Sequence, residues 1–157
     1  MPAMAKAPAL AASIELHEQP GHLIRRAHQI AVALFHETLG REVTPVQYAV
    51  LRALQDKPGI DQVTLAQEIA LDTSSTADVA VRLEAKGLIV REVLPRGQRR
   101  LVLTDEGEAL LARLVPGMNR MCRTMLADMD KNEQAEFVRL LQKFVHLNDD
   151  GRAAPRR

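Results

Sequence analysis

The chain has 157 residues, of which 46% are hydrophobic and only 3% aromatic, with no tryptophan. This length and composition predict one domain whose core is built from aliphatic side chains and methionine, which suits helices. The formal net charge of +1 and the single cysteine exclude a uniformly basic protein and an intrachain disulfide framework, and no apolar run reaches the roughly 18 residues of a membrane span.

Both ends of the chain lack the periodicity of a folded element. Residues 1–18 are predicted to be a flexible arm and residues 149–157 a flexible tail, around a single domain of residues 19–148. The arm, MPAMAKAPALAAS and the residues after it, lacks the strong apolar segment of a signal peptide. We therefore expect a cytoplasmic protein.

Four helices are predicted in the first half of the domain. Apolar residues recur at helical spacing in each of them, and capping or proline residues mark several of the starts. Val46 is predicted on the apolar side of the second helix, and Leu88 on that of the fourth. The predicted starts are Gly21, Thr44, Asp61 or Gln62, and Asp72, and the predicted stops are Gly40, the segment KPGIDQ and Gly87.

The second half begins with strand character. LIVREVL and RRLVLT flank the turn Pro95-Arg96-Gly97-Gln98, which predicts a β-hairpin. Thr104 is predicted to cap a long helix, and a last helix begins near Asn132. Cys122 lies within the apolar face of the long helix, so we expect it to be buried rather than redox-active. That face consists of Leu111, Leu114, Met118, Met121, Met125 and Met129.

This order of elements predicts a mainly α fold with a small β-hairpin. Three helices followed by a two-stranded hairpin form the winged helix-turn-helix arrangement, here at about residues 44–104. The helices on either side, at about residues 20–40 and 105–148, have apolar faces that one chain cannot fully cover. We therefore predict that they are dimerisation helices and that the protein is a homodimer.

The start of the fourth helix carries four hydroxyl side chains in a row. In a helix-turn-helix, the second helix presents its N-terminal residues to base edges and phosphates. Short hydroxyl groups suit that role because they both donate and accept hydrogen bonds. The alternative is that Asp72 and its neighbours only start a helix. The residues predicted to contact DNA here are Thr73, Ser74, Ser75 and Thr76.

Positive charge is concentrated just after these hydroxyls. Residues 82–100 contain six basic and two acidic side chains, a local excess of +4. Arg96 stands at the hairpin tip and Arg99 just beyond it, so both are predicted to reach DNA, together with Arg82. The alternative is a solvated charged hairpin. Asp78 opposes phosphate, and we expect it to pair with Arg82 rather than to accept from a cytosine amino group.

The segments TPVQYAVLRAL, LAQEIALDTSSTADVAVRLEAKGLI and RRLVLTDEG resemble the MarR (multiple antibiotic resistance regulator) family of transcription factors, over roughly residues 21–147. The resemblance implies a homodimer that binds a palindromic double-stranded DNA operator, usually as a repressor, and is released by a small anionic or phenolic ligand. TPVQYAVL and PGIDQ are most similar to members that control aromatic-acid catabolism. The family wing usually has an Asp-x-Arg pattern, from which Pro95-Arg96-Gly97 departs; minor-groove contact is then weaker, or Arg96 and Arg99 substitute.

The resemblance also implies an effector site between the winged helix and the dimerisation helices. Arginine matches a carboxylate, histidine and tyrosine can bond a phenol oxygen, and methionine can pack an aromatic ring. The expected effector is an aromatic carboxylate or its coenzyme A thioester. The alternatives are surface histidines, arginines in interface ion pairs and a methionine of the core. The candidate residues are His22, Arg25, Arg26, His28, Tyr48 and Met118.

The sequence gives less support to other classes of function. There is no nucleophile elbow, phosphate-binding loop or HExxH motif, so an enzyme is not expected. The histidines lack metal-ligand spacing, and neither a cofactor nor a metal is expected. Two alternatives remain open: a DNA-binding or architectural protein that ignores ligands, and a winged helix used for contact with another protein.

Overall fold

Helices occupy most of residues 13–146, the part of the chain that the computed structural model describes. A two-stranded antiparallel sheet interrupts them, which confirms the predicted mainly α fold with one hairpin. The elements are α1 (Pro20–Leu39), α2 (Pro45–Asp56), α3 (Gln62–Glu68), α4 (Thr73–Ala85), β1 (Ile89–Val93), β2 (Arg99–Leu103), α5 (Asp105–Met125) and α6 (Lys131–Phe144).

Side-chain caps explain where five of the six described α-helices begin. Each cap accepts a hydrogen bond from the backbone N–H three residues later, which satisfies one of the free donors of the first turn. The capping residues are Thr44, Asp61, Asp72, Thr104 and Asp130. The first four confirm the sequence-based starts. Gln47 also completes a capping box by accepting from the Thr44 N–H at 3.1 Å.

A third backbone segment is hydrogen-bonded to the edge of the hairpin. The backbone of residues 59–61 runs along β2, where the Gly59 N–H donates to the Leu101 carbonyl and the Leu101 N–H to the Ile60 carbonyl, each at 3.0 Å. At the tip, Gly97 has φ +81°, and the Leu94 N–H donates to the Gln98 carbonyl at 2.7 Å. A glycine at positive φ after a tight turn is typical of three-residue hairpin loops.

The core lies between α2, α3, α4 and the hairpin, and α5 covers it through its contacts with α2 and β2. Its fully buried side chains are mainly leucines, with Val43, Val50 and Ile89. Three predictions about apolar residues were wrong. Val46 is 41% exposed because α2 turns its Gln47 side inward, Met129 lies beyond the end of α5, and Leu88 follows α4 instead of belonging to it.

Cys122 is exposed, contrary to the expectation of a packing cysteine. The neighbouring Met121 is the residue of that turn that α5 buries, and successive helical side chains point about 100° apart.

The predicted arm and tail fall largely outside residues 13–146. Of the arm, the described part includes one turn of 3-10 helix, Leu16–Glu18, in front of α1. The tail, residues 149–157, lies wholly outside it. The limits of the predicted domain therefore stay a prediction. Within the described range, no helix is both long enough and apolar enough to cross a membrane.

The start of α5 touches the turn between α4 and β1 through a glycine. A Cβ built on Gly107 would lie 2.2 Å from the backbone oxygen of Leu88, far closer than real contacts. The Thr104 N–H donates to that same oxygen at 3.1 Å, and the Thr104 hydroxyl donates to the Gly87 carbonyl at 2.6 Å. Gly107 is thus the residue that lets the long helix begin directly against the turn between α4 and β1.

Replacing Gly107 with alanine should therefore destabilise the protein by about 1–3 kcal/mol, the usual cost of overpacking. Replacing glycine with alanine inside a helix normally stabilises a protein, so a decrease in the free energy of unfolding here would indicate the close contact. Urea unfolding at fixed protein concentration measures the change. Gly21→Ala, where nothing lies within 4 Å of the added Cβ, is the matched control and should not destabilise. Equal effects of the two substitutions would contradict the close contact.

Candidate DNA-binding surface and effector site

Helix α4 presents a polar face to solvent. Thr73, Ser74 and Arg82 are exposed and Ser75 is half-buried, so four of the predicted DNA contacts are accessible on one helix. The opposite face packs against the core through Ala80 and Leu83. Helix α3 precedes it through a short turn, with the Leu71 N–H donating to the Ala66 carbonyl at 2.9 Å. This is the arrangement of a helix-turn-helix with an exposed second helix.

The prediction that Thr76 contacts DNA is wrong, because its side chain is buried. Its side chain is 0% exposed, and its hydroxyl donates to the Asp72 carbonyl at 2.8 Å, within its own helix. The position faces the core because it lies one turn before Ala80, which is also buried. Thr76 is therefore a packing residue of α4, and the accessible hydroxyls are those of Thr73, Ser74 and Ser75.

Three of the six basic residues in the stretch 82–100 are held by protein groups. The Arg91 guanidinium donates to Glu84 at 3.1 Å, and Arg100 lies 3.9 Å from Glu92. Lys86 donates to the Glu42 carbonyl at 2.6 Å and to the Gln47 side chain at 3.3 Å. Within the described part of the chain, no ion pair involves the other three, which are the predicted contacts Arg82, Arg96 and Arg99.

The predicted ion pair between Asp78 and Arg82 does not form. Both side chains are exposed, and neither has a hydrogen bond or ion pair with any residue of the described range. Four-residue spacing allows such a pair on a helix, but exposed pairs of this kind stabilise by only a few tenths of a kcal/mol. The Asp78 carboxylate therefore lies on the exposed face of α4 without a partner among the described residues.

Sequence reasoning missed the contacts that fix α4 against the rest of the chain. Lys86, just after α4, bonds the backbone of the α1–α2 loop at Glu42, whose carboxylate lies 3.4 Å from Arg113 of α5. Arg100 packs on Gly59, where an added Cβ would lie 2.6 Å from its Nε. The spacing Thr44-x-x-Gln47 is a readable capping-box signal, but no local pattern reveals the role of Lys86.

The predicted effector residues do not form one cluster in the single chain. His22 is half-buried, and its Nδ1 lies 3.5 Å from the guanidinium of Arg25. Its Nε2 is shielded from solvent and has no hydrogen-bond partner in the described structure. Arg26 is exposed on the next turn. His28 lies further along α1, in an open groove that also includes His36 and Arg41.

Tyr48 and Met118 do come together. They line a small cavity of about 230 Å³ between α2 and α5, with Arg52, Gln55, Leu111, Val115 and Asn119. Burial raises the pKa of the Tyr48 phenol, which keeps the group protonated and able to donate a hydrogen bond. Among the described residues, no cluster of three or more His, Cys, Asp or Glu side chains is arranged to hold a metal ion.

Residues 42–100 match the MarR family. The transcriptional regulator HosA of Escherichia coli O111:H- is 34% identical over 133 residues, which cover 83% of this chain and 98% of HosA. The chain belongs to the MarR family. It is a transcriptional regulator with a DNA-binding winged helix, and the names of its relatives agree with the expectation that it is not an enzyme.

Two solved structures of this family are similar along nearly their whole length. The PcaV transcriptional regulator of Streptomyces coelicolor, in complex with its natural ligand, superimposes with a TM-score of 0.81 at 37% identity, covering 88% of this chain and 100% of PcaV. BpsR of Bordetella bronchiseptica, whose DNA binding is regulated by 6-hydroxynicotinic acid, has a TM-score of 0.79 at 30% identity, covering 86% and 99%.

The cap of α4 makes a pH-dependent prediction. The Ser75 backbone N–H donates to the Asp72 carboxylate at 2.7 Å, and this bond lowers the pKa of Asp72 below its ordinary value. A lowered pKa in the folded state means that the cap stabilises at neutral pH and that this contribution is lost as the pH falls below about 4. Asp72→Ala should therefore lower the thermal midpoint at pH 7.

The difference between wild type and Asp72→Ala should shrink as the pH is lowered through that range, as measured by circular dichroism melts. Asp72→Asn, which keeps an oxygen acceptor at the cap, is the control and should lose less stability at pH 7. A difference that stays constant from pH 7 to pH 3 would contradict the ionised cap.

Proposed function

We propose that this MarR-family protein is a homodimeric repressor that is released from a palindromic operator by a small aromatic carboxylate or by its coenzyme A thioester. Two α4 helices enter successive major grooves about 34 Å apart, and the wings hold the flanking minor grooves. The effector stabilises a spacing between the two winged helices of the dimer that no longer matches the operator. It acts only through its preference for that conformation. Such a regulator acts in the cytoplasm.

The DNA-binding part of this proposal rests on one observation, namely which arginines form an ion pair within the chain and which do not. Arg82, Arg96 and Arg99 have no ion pair in the described structure, whereas Arg91 and Arg100 lie against carboxylates. Unpaired guanidinium groups beside an exposed hydroxyl-bearing helix are suited to phosphate. Thr73, Ser74 and Ser75 supply the contacts at the start of α4.

Exposed apolar side chains support the homodimer. Helix α6 buries none of its residues in the single chain, although it carries Val138, Leu140, Leu141 and Phe144. Phe144 is 60% exposed, and Leu23, Ile24 and Ile30 of α1 are exposed as well. Apolar patches of this extent are rarely left in water, and a second copy of the same two helices is the partner that covers both.

The effector assignment draws on a relative and on two places in this chain. BpsR, 30% identical to this chain, is regulated by 6-hydroxynicotinic acid, an aromatic carboxylate. Here the unpartnered His22 Nε2 and the nearby Arg25 and Arg26 suit a carboxylate. Tyr48 and Met118 line a cavity suited to an aromatic ring. His28 lies in a separate groove that none of the other candidate residues lines.

The test is fluorescence anisotropy of the full chain on DNA from immediately upstream of its coding region, with and without benzoates, hydroxycinnamates and their coenzyme A thioesters. Binding that resists competitor DNA and is released by one compound supports the proposal. Specific binding that no compound changes would favour a ligand-independent DNA-binding protein. Absence of sequence-specific binding to any DNA would favour a winged helix that contacts protein.

The wing arginines give a salt-dependent prediction. The double variant Arg96→Ala/Arg99→Ala should weaken binding and reduce the slope of log affinity against log salt by roughly 3 to 4, because a dimer loses four phosphate contacts at about 0.9 each. Titrations at several salt concentrations measure the slope. Lys131→Ala, at the start of α6, is the control with an exposed charge removed elsewhere. An unchanged slope in the double variant would remove the wing from the DNA interface.

Arg26 gives a prediction for the effector. Arg26→Ala should raise the effector concentration needed for half-release by about tenfold or more, since a hydrogen bond to a charged group is worth about 1.5–3 kcal/mol. Affinity for DNA without effector should stay the same. Tyr48→Phe, which removes only a hydroxyl, tests the cavity in the same assay. A shift for Tyr48→Phe alone would place the anion elsewhere than at Arg26.

A further inference from the structure

The centre of the exposed face of α4 is occupied by a carboxylate. At about 100° per residue, the three buried residues of α4 (Thr76, Ala80 and Leu83) define the inward direction, and Ser74, Asp78 and Ala85 lie within about 30° of the opposite direction. Arg82 lies on the flank of this face. The residue aimed most directly away from the core in the middle of the helix is therefore acidic.

Within residues 13–146, no side chain pairs with this carboxylate. Asp78 has no hydrogen bond and no ion pair with the described residues, and the expected partner Arg82 leaves it free. Facing DNA, a carboxylate is repelled by phosphates, so its position opposes nonspecific binding. The repulsion is smallest at the centre of the groove, where the nearest groups are base edges rather than phosphates.

A carboxylate only accepts hydrogen bonds, which restricts the bases it can face. In the major groove, guanine presents two acceptors and thymine one acceptor and a methyl group, so neither offers a donor. Adenine has a donor, but its N7 acceptor lies beside it. Cytosine presents its amino group without an acceptor on the same base edge. The base that matches Asp78 is therefore cytosine.

We propose that Asp78 determines operator specificity by accepting a hydrogen bond from a cytosine amino group in each half-site. This inference rests on the proposed function, because it requires α4 to enter the major groove. Ser74, one turn earlier on the same face, lies beside it, and the half-buried hydroxyl of Ser75 is on the flank. In this arrangement arginines and hydroxyls bind the phosphate backbone of the DNA, while the carboxylate of Asp78 discriminates among base pairs.

The test selects bound sequences from double-stranded DNA with a random stretch of roughly 30 base pairs, long enough for two half-sites. The full chain, Asp78→Ala and Asp78→Asn are each used at one salt concentration. The wild type should enrich a palindrome with a cytosine at one position of each half-site. Asp78→Ala should accept any base there, and Asp78→Asn should shift the preference to adenine, which asparagine bonds through N6 and N7.

Affinities on the selected palindrome make the comparison quantitative. Replacing the cytosine in both half-sites should cost the wild type roughly tenfold or more in affinity, and Asp78→Ala less than about twofold. Both Asp78 variants should bind random DNA more tightly than the wild type, because a negative charge is lost. Asp128→Asn, the same change at an exposed position between α5 and α6, is the control and should behave as the wild type.

The possible failures are distinguishable. If Asp78→Ala enriches the same palindrome with the same stringency, Asp78 reads no base, and the proposed DNA-binding function stands. If the position that loses its preference is not a cytosine, the assignment of the base is overturned. If the wild type enriches no sequence at all, both this inference and the proposed function fail. Thermal melts of the variants show that each is folded.

Discussion

The backbone contact between Gly107 and Leu88 is the constraint on which the arrangement of this protein depends. The first turn of α5 lies against the carbonyl that ends the α4–β1 turn, and Thr104 closes the hairpin by bonding the same oxygen. Because backbone atoms meet there, neither side can yield by changing a rotamer. A movement of α5 relative to its partner in a dimer must therefore move the exposed helix and the wing with it.

Lys86 and Glu42 form a second, polar connection at the same end of α4. Lys86 bonds the backbone of the α1–α2 loop, and the Glu42 carboxylate lies beside Arg113 of α5. The exposed helix is thus connected at one end to the α1–α2 loop and, through Glu42, to α5. The cavity of Tyr48 and Met118 lies between α2 and α5, so a molecule bound there would press on the elements that hold α4 in place.

Ion pairs within the chain determine which charged side chains are available to contact DNA. A local excess of +4 is typical of many charged surfaces, and by itself it predicts only attraction to a polyanion. Arg91 and Arg100 lie against carboxylates, and the groups that form no ion pair with the described residues are three arginines on the flanks and one aspartate at the centre. Attraction at the edges with an acceptor in the middle favours discrimination between sequences over nonspecific affinity.

The sequence by itself determined the order of elements, four of the helix starts and the family, because caps, turns and apolar periodicity act over a few residues. It also identified Arg82, Arg96 and Arg99 as the candidate wing and helix contacts. Only the tertiary structure decided that Thr76 is buried, that Asp78 is unpaired, that Cys122 is exposed and that Lys86 fixes α4. These outcomes depend on which helix face meets a segment distant in the sequence, and local patterns carry no information about that packing.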